Sequence, residues 1–246
     1  MKLTFKIDDN YLVAHTLSNV HAGRFSSKVD GKELGDFQSR AWKQSKTCYE
    51  LLVGWASPDS LALRNISALS TELPMFFSAL KASEEYSPVR ESTEEYLSVC
   101  EQQWHSNAER AESIIHEITG LDLARKFTAY ITHPSLKNGM SLGGGKIAWG
   151  HSEDWPNYTT VYLWHEILHS YFETKELDHA IIQLIADEEL RVRLNGGEYP
   201  PFTGHERLHP LMRKILPRWR TYLKSENKNI GSFKGKLMKS PRIPRS

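Results

Sequence analysis

The stretch Tyr162 to Phe172 reads YLWHEILHSYF, and His165, Glu166 and His169 are the only imidazole or carboxylate groups in it. Burying two imidazoles and a carboxylate without partners costs several kcal/mol. A helix of this composition must therefore hold them against something. On an α-helix, four residues of separation place His165 and His169 one above the other, within reach of a single metal ion. Glu166 projects to the side of that pair. This is the H-E-x-x-H arrangement, in which two nitrogens bind zinc and the carboxylate addresses a water on the metal. The bland alternative is a core helix with two satisfied histidines.

A catalytic zinc site takes a third protein ligand and keeps a fourth position open. A third histidine six residues after His169 is absent, because Lys175 stands there, and Phe172 stands where a glycine would accompany it. The alternative is a glutamate roughly twenty residues downstream on a second helix, where ADEEL offers Asp187, Glu188 and Glu189. In an α-helical reading Ile181, Leu184, Ile185 and Val192 form a buried stripe, and Glu188 falls on it. Glu188 is the expected ligand and Glu189 the second choice. Otherwise DEEL is a solvated acidic patch.

HEILH followed nineteen residues after His169 by Glu188 resembles the gluzincin group of zinc metallopeptidases, over roughly residues 126 to 195. The spacing to the second helix is similar to the aminopeptidase-like branch. Asp187 replaces the usual asparagine before the third ligand, and the exopeptidase signature G-x-M-E-N is missing; Asn138-Gly139-Met140 is the nearest run. The resemblance implies Zn²⁺ held by His165, His169 and Glu188, with Glu166 as general base. It also implies a Tyr or His donor for the developing oxyanion downstream of the third ligand. His209 is preferred there, with Tyr199 and His205 as further candidates, and His151 is a residue that would line the cleft. In this group a strand before the metal helix pairs with substrate, and GGGKIAWGH occupies that place. An ordinary hairpin with a glycine-rich turn explains the same residues.

The rest of the chain supplies the frame. KLTFKI alternates as a strand does, and KFTAYITHP and KIAWG read as two more, with a turn expected at Asn138-Gly139. A long helix is expected from a capping box at Ser92 and Glu95 to Gly120, with Leu97, Cys100, Trp104, Ala108, Ala111 and Ile115 at helical spacing. His116 reads as a surface residue. A second helix, DHAIIQLIADEELRVRLN, stops at Gly196-Gly197, and a last one, LMRKILPRWRTYLK, is expected to kink or break at Pro217. Further helical stretches are read around AWKQSKTCYELLVGWA and LALRNISALSTELPMFFSAL.

The fold class expected is α+β and zincin-like, mainly helical with a small, mostly antiparallel sheet preceding the metal helix. Three segments follow: 1–125 as a strand and helical region, 126–224 as the catalytic core, and 225–246 as a basic, flexible tail. That tail holds six basic residues and one acidic, and is the only feature pointing toward nucleic acid. The net charge of +1 does not steer the whole molecule toward an anionic partner. No secretory or membrane-spanning run is read, and two distant cysteines suit a reducing compartment, so a cytoplasmic protein with a peptide or protein substrate is expected. The principal alternatives are a zincin-like regulator that binds or cleaves one dedicated partner, and a metal-free helical protein in which HEILH is coincidental.

Overall fold

The computed structural model describes residues 1–18, 32–52, 66–173 and 175–239. The sequence elements read within 53–65 lie outside them, as does the end of the basic segment. Four strands, β1 (Lys2–Lys6), β2 (Lys126–Ile131), β3 (Asn138–Gly143) and β4 (Lys146–Gly150), form one sheet in the order β1-β2-β4-β3. β1 and β4 both run parallel to β2, and only β3 is antiparallel to its neighbour. The α+β class stands, but the sheet is mixed and antiparallel pairing is confined to the β3–β4 hairpin. Chain separation explains this. β1 returns to β2 only after more than a hundred residues, a connection long enough for parallel pairing.

The expected turn at Asn138-Gly139 is instead the start of β3, and the reversal comes at Gly143, Gly144 and Gly145, all at positive φ. β4 is an interior strand, so GGGKIAWGH does not present a sheet edge; β1 and β3 are the edge strands. Gly139 of β3 leaves space that a side chain would take from the indole of Trp149, beside Glu166.

Helices α1 (Asp9–Ser18), α2 (Lys32–Gln44), α3 (Lys46–Leu52) and α4 (Leu73–Lys81) enclose a core of their own around Leu12, Phe37, Leu52 and Phe77. The long helix α5 (Tyr86–Thr119) joins this core to the main one. Its Tyr86 and Val89 belong to the first, and Cys100, Trp104, Ala111 and Ile115 to the second. At about 1.5 Å per residue it spans roughly 50 Å. It begins a turn and a half before the expected capping box, so Ser92 and Glu95 are interior positions, and it ends where expected, at Gly120 in the left-handed conformation. His116 is exposed, as read.

Behind the sheet the chain forms α6 (Tyr158–Leu168) and then one helical rod: α7 (Glu176–Gln183), a π-helical segment (Leu184–Leu190) and α8 (Arg191–Asn195). α9 (His209–Leu223) runs unbroken through Pro217, and α10 (Ile230–Met238) follows. Residues 230–238 of the segment read as a tail therefore form a helix, and its Ile230, Phe233 and Leu237 join the main core. The charge run concealed an apolar face at helical spacing.

Among the described residues no helix is long and apolar enough to cross a membrane.

Candidate metal centre

α6 is anchored at its start. Asn157 donates to Asn195 at the end of α8 (2.7 Å) and accepts from Asn107 of α5 (2.8 Å). The Thr159 amide donates to Gln103 (3.1 Å). These contacts hold α6 and the α7–α8 rod side by side on the long helix. Both His165 and Glu166 are buried, with His169 at the C-terminal end of α6.

One group among the described residues brings three metal-ligating side chains together: His165, His169 and His179, with one nitrogen of each lying within 4.8 Å of the others. His179, on the first turns of α7, is a member of this group that the sequence reading did not include, and the carboxylate expected as third ligand, Glu188, is not in it. Nε2 of His165 and Nε2 of His179 are 3.1 Å apart. Two nitrogens bound to one tetrahedral zinc at about 2.0–2.1 Å stand roughly 3.3 Å from each other, so the spacing suits a shared ion. The far side of His165 supports the same reading, since Nδ1 lies 2.8 Å from Oδ1 of the fully buried Asp187. A carboxylate there keeps the proton on Nδ1 and turns the Nε2 lone pair toward the cluster. The residues present fit a zinc ion.

The electrostatics follow from burial. It opposes the charged form of His165, but the Asp187 carboxylate outweighs it and holds this pKa above the ordinary value. Burial, reinforced by the neighbouring imidazoles, pushes His169 down to about 4 and His179 down to about 3. Those two rings are neutral at pH 7, the state a metal requires. Burial raises the Glu166 carboxyl, against His165, and Asp187 adds to the rise; the Ser141 amide of β3 works the other way.

Glu188 is fully buried, as its place on the apolar stripe predicts, but it lies outside the histidine group. Its Oε2 accepts from Arg191 (2.9 Å) and its Oε1 from the Thr203 amide (2.6 Å). Glu189 pairs with Arg193 (2.9 Å) and accepts from the Tyr199 hydroxyl (2.6 Å). Tyr199 thus serves the rod rather than the cluster, and Trp219 donates to it in turn. His209 pairs with the Thr203 carbonyl (3.0 Å). His151 pairs with Glu153 and Tyr158 (2.9 Å each). His205 does approach the cluster, with ring centres 4.7 Å from His179 and 6.1 Å from His165.

The reason the acidic run was misphased is local. An α-helix turns about 100° per residue, which puts Asp187 about 80° from His179 and Glu188 on the opposite face. The wider i→i+5 turn of the π segment advances only about 80° per residue. Counting four residues of each kind returns Asp187 to within about 10° of the His179 direction. Asp187 and His179 then grip His165 from two sides. The signal in the sequence for the third imidazole is His179 itself, ten residues after His169 and at the start of the next helical pattern.

No protein-family model, curated protein or solved structure matches this chain.

Proposed function

We propose that the protein is a zinc-dependent peptidase in which His165, His169 and His179 hold the metal and Glu166 is the general base. The observation that carries this reading is the convergence of three imidazoles with a carboxylate-oriented tautomer on His165. A three-histidine set departs from the gluzincin pattern of the sequence comparison, which calls for a glutamate. When bound, zinc supplies the Lewis acidity that makes water a nucleophile near neutral pH.

The chain's own groups do the rest. Glu166, buried beside His165 with its pKa raised by that burial, is suited to take a proton from water and deliver it to the leaving amine. Asp187 fixes the orientation of His165. The β3 edge, whose Ser141 amide stabilises the Glu166 carboxylate, is positioned to pair with an extended peptide. Among the downstream candidates for an oxyanion donor, His205 is the one whose ring neighbours the cluster.

The test is metal analysis followed by assay. Purified protein should carry about one zinc per chain, and removal of zinc by a chelator should abolish peptide cleavage until zinc is restored. A chain that binds less than about a tenth of an equivalent would end the proposal.

A further inference from the structure

The cavity that opens onto the cluster has a volume of about 200 Å³, and its walls are His169, His179, Glu173, Lys175, Glu176 and Arg207. Ligand pockets usually measure about 300–1,000 Å³, so this one suits a single residue rather than a chain passing through. The rim charges are not equivalent. Lys175 and Glu173 neutralise each other at 2.8 Å. Arg207 has no carboxylate partner among the described residues.

The backbone that carries the exposed Arg207 is held in place. It sits in the single 3-10 turn Glu206–Leu208, closed by the Leu208 amide on the His205 carbonyl (2.9 Å), with Leu208 fully buried. The residues just before this turn are strapped to the rod. Gln183 donates to the Thr203 carbonyl (3.2 Å) and accepts from the His205 amide (3.2 Å), while Glu188 accepts from the Thr203 amide. Gly204, at positive φ, lies against Asp187 and Gln183 where a side chain has no room. The residue expected to bind metal thus helps to fix the loop that carries the cation.

We propose that Arg207 anchors the free α-carboxylate of the substrate, so that the protein removes residues from peptide C-termini. The inference rests on the peptidase reading above. A guanidinium offers two parallel N–H donors to a carboxylate, and one carried on a braced turn at the cavity rim is placed to use them. In the reaction the peptide C–N bond breaks and the hydroxyl of one water joins the acyl carbon. The proton passes to the amine of the released C-terminal residue.

The experiment uses the zinc-loaded full chain and N-acetylated peptides that end either in a free acid or in an amide, with the unacetylated acid as a third substrate. The acid should be cleaved roughly ten- to a hundredfold more efficiently, the range of a charge-assisted hydrogen bond, with its last residue released. Arg207→Gln should bring that ratio to within about threefold of one, mainly through KM, and Arg207→Lys should restore part of it. Equal cleavage of acid and amide by the natural protein, or an unchanged ratio in Arg207→Gln, overturns the proposal while leaving the peptidase reading intact. A requirement for a free amino terminus also overturns it, and transfers the anchoring role to Glu176. If no peptide is cleaved, the peptidase reading fails, and equilibrium binding of the same two peptides decides on Arg207. Tighter binding of the acid that is lost in Arg207→Gln supports the anchor, and equal binding removes it.

Discussion

The two helical elements that face each other across the histidines present their polar groups by different means. α6 is regular: His165 and His169 share a face because four residues nearly complete a turn. The rod that begins with α7 is not regular along its length. Its His179 sits in ordinary helix, and its Asp187 reaches the same imidazole only because the rod widens at Leu184–Leu190. A site can therefore combine one rigid, periodic half with one half whose phase is reset by a single wide turn. π segments recur at functional sites for this reason. In the proposed peptidase the periodic half contributes two ligands and the base, while the reset half contributes one ligand and the group that orients its partner.

The division of labour can be broken most sharply at His179. His179→Ala should cut zinc affinity by roughly a thousandfold or more, since a three-ligand site becomes a two-ligand one; metal analysis after dialysis reads it. A variant that keeps a full equivalent would return the third position to another residue. Glu166→Gln tests the periodic half, with zinc retained and peptide cleavage falling by roughly 10²–10⁴, the scale of general base catalysis. Asp187→Asn should weaken zinc by roughly ten- to a hundredfold, as loss of an orienting carboxylate does. Zinc affinity as tight as in the natural protein would make the π segment irrelevant to the metal. Glu188→Gln should leave zinc content unchanged and instead cost about 1–3 kcal/mol in urea unfolding, because it loosens a buried ion pair with Arg191 and the strap at Thr203.

The smallest effect expected is on pH dependence. An ordinary histidine titrates near 6.5, whereas the folded chain holds His169 near 4 and His179 near 3, with His205 also lowered. Below pH 6.5 the unfolded chain takes up protons that the folded one refuses, so zinc-free protein should lose stability from pH 6.5 downward toward 3. His165 is raised and works the other way, its contribution being fully present below 6.5 and lost as pH rises through its folded value. His133 is lowered as well, so four lowered imidazoles stand against three raised groups: His165, and Glu166 and Glu188, whose carboxyls gain protons more readily in the folded chain. Urea midpoints that rise on acidification over this window would contradict the sign.

How far the site could be read in advance varied with the distance over which a rule had to hold. HEILH needs only one helical turn to be regular, and strands such as KFTAYI and KIAWG need only local β propensity. Glu188 was assigned by carrying one α-helical phase through the rod, and the π segment defeats that extrapolation. The start of α5 was missed for another reason. A capping box is a local pattern, but tertiary burial of Tyr86 and Val89 extends the helix beyond it.

The amino-acid sequence on its own determined which side chains are apolar, where glycine ends α5 and the α7–α8 rod, and that two imidazoles and an acid lie within one turn of α6. These follow from steric and hydrophobic preferences that act between near neighbours. Only the tertiary structure decided that β1 pairs parallel with β2, that β3 rather than β4 lies at an edge of the sheet, and that His179 and Asp187 meet His165. Those outcomes depend on contacts between residues distant along the chain and on one widened turn, and no short-range rule specifies either.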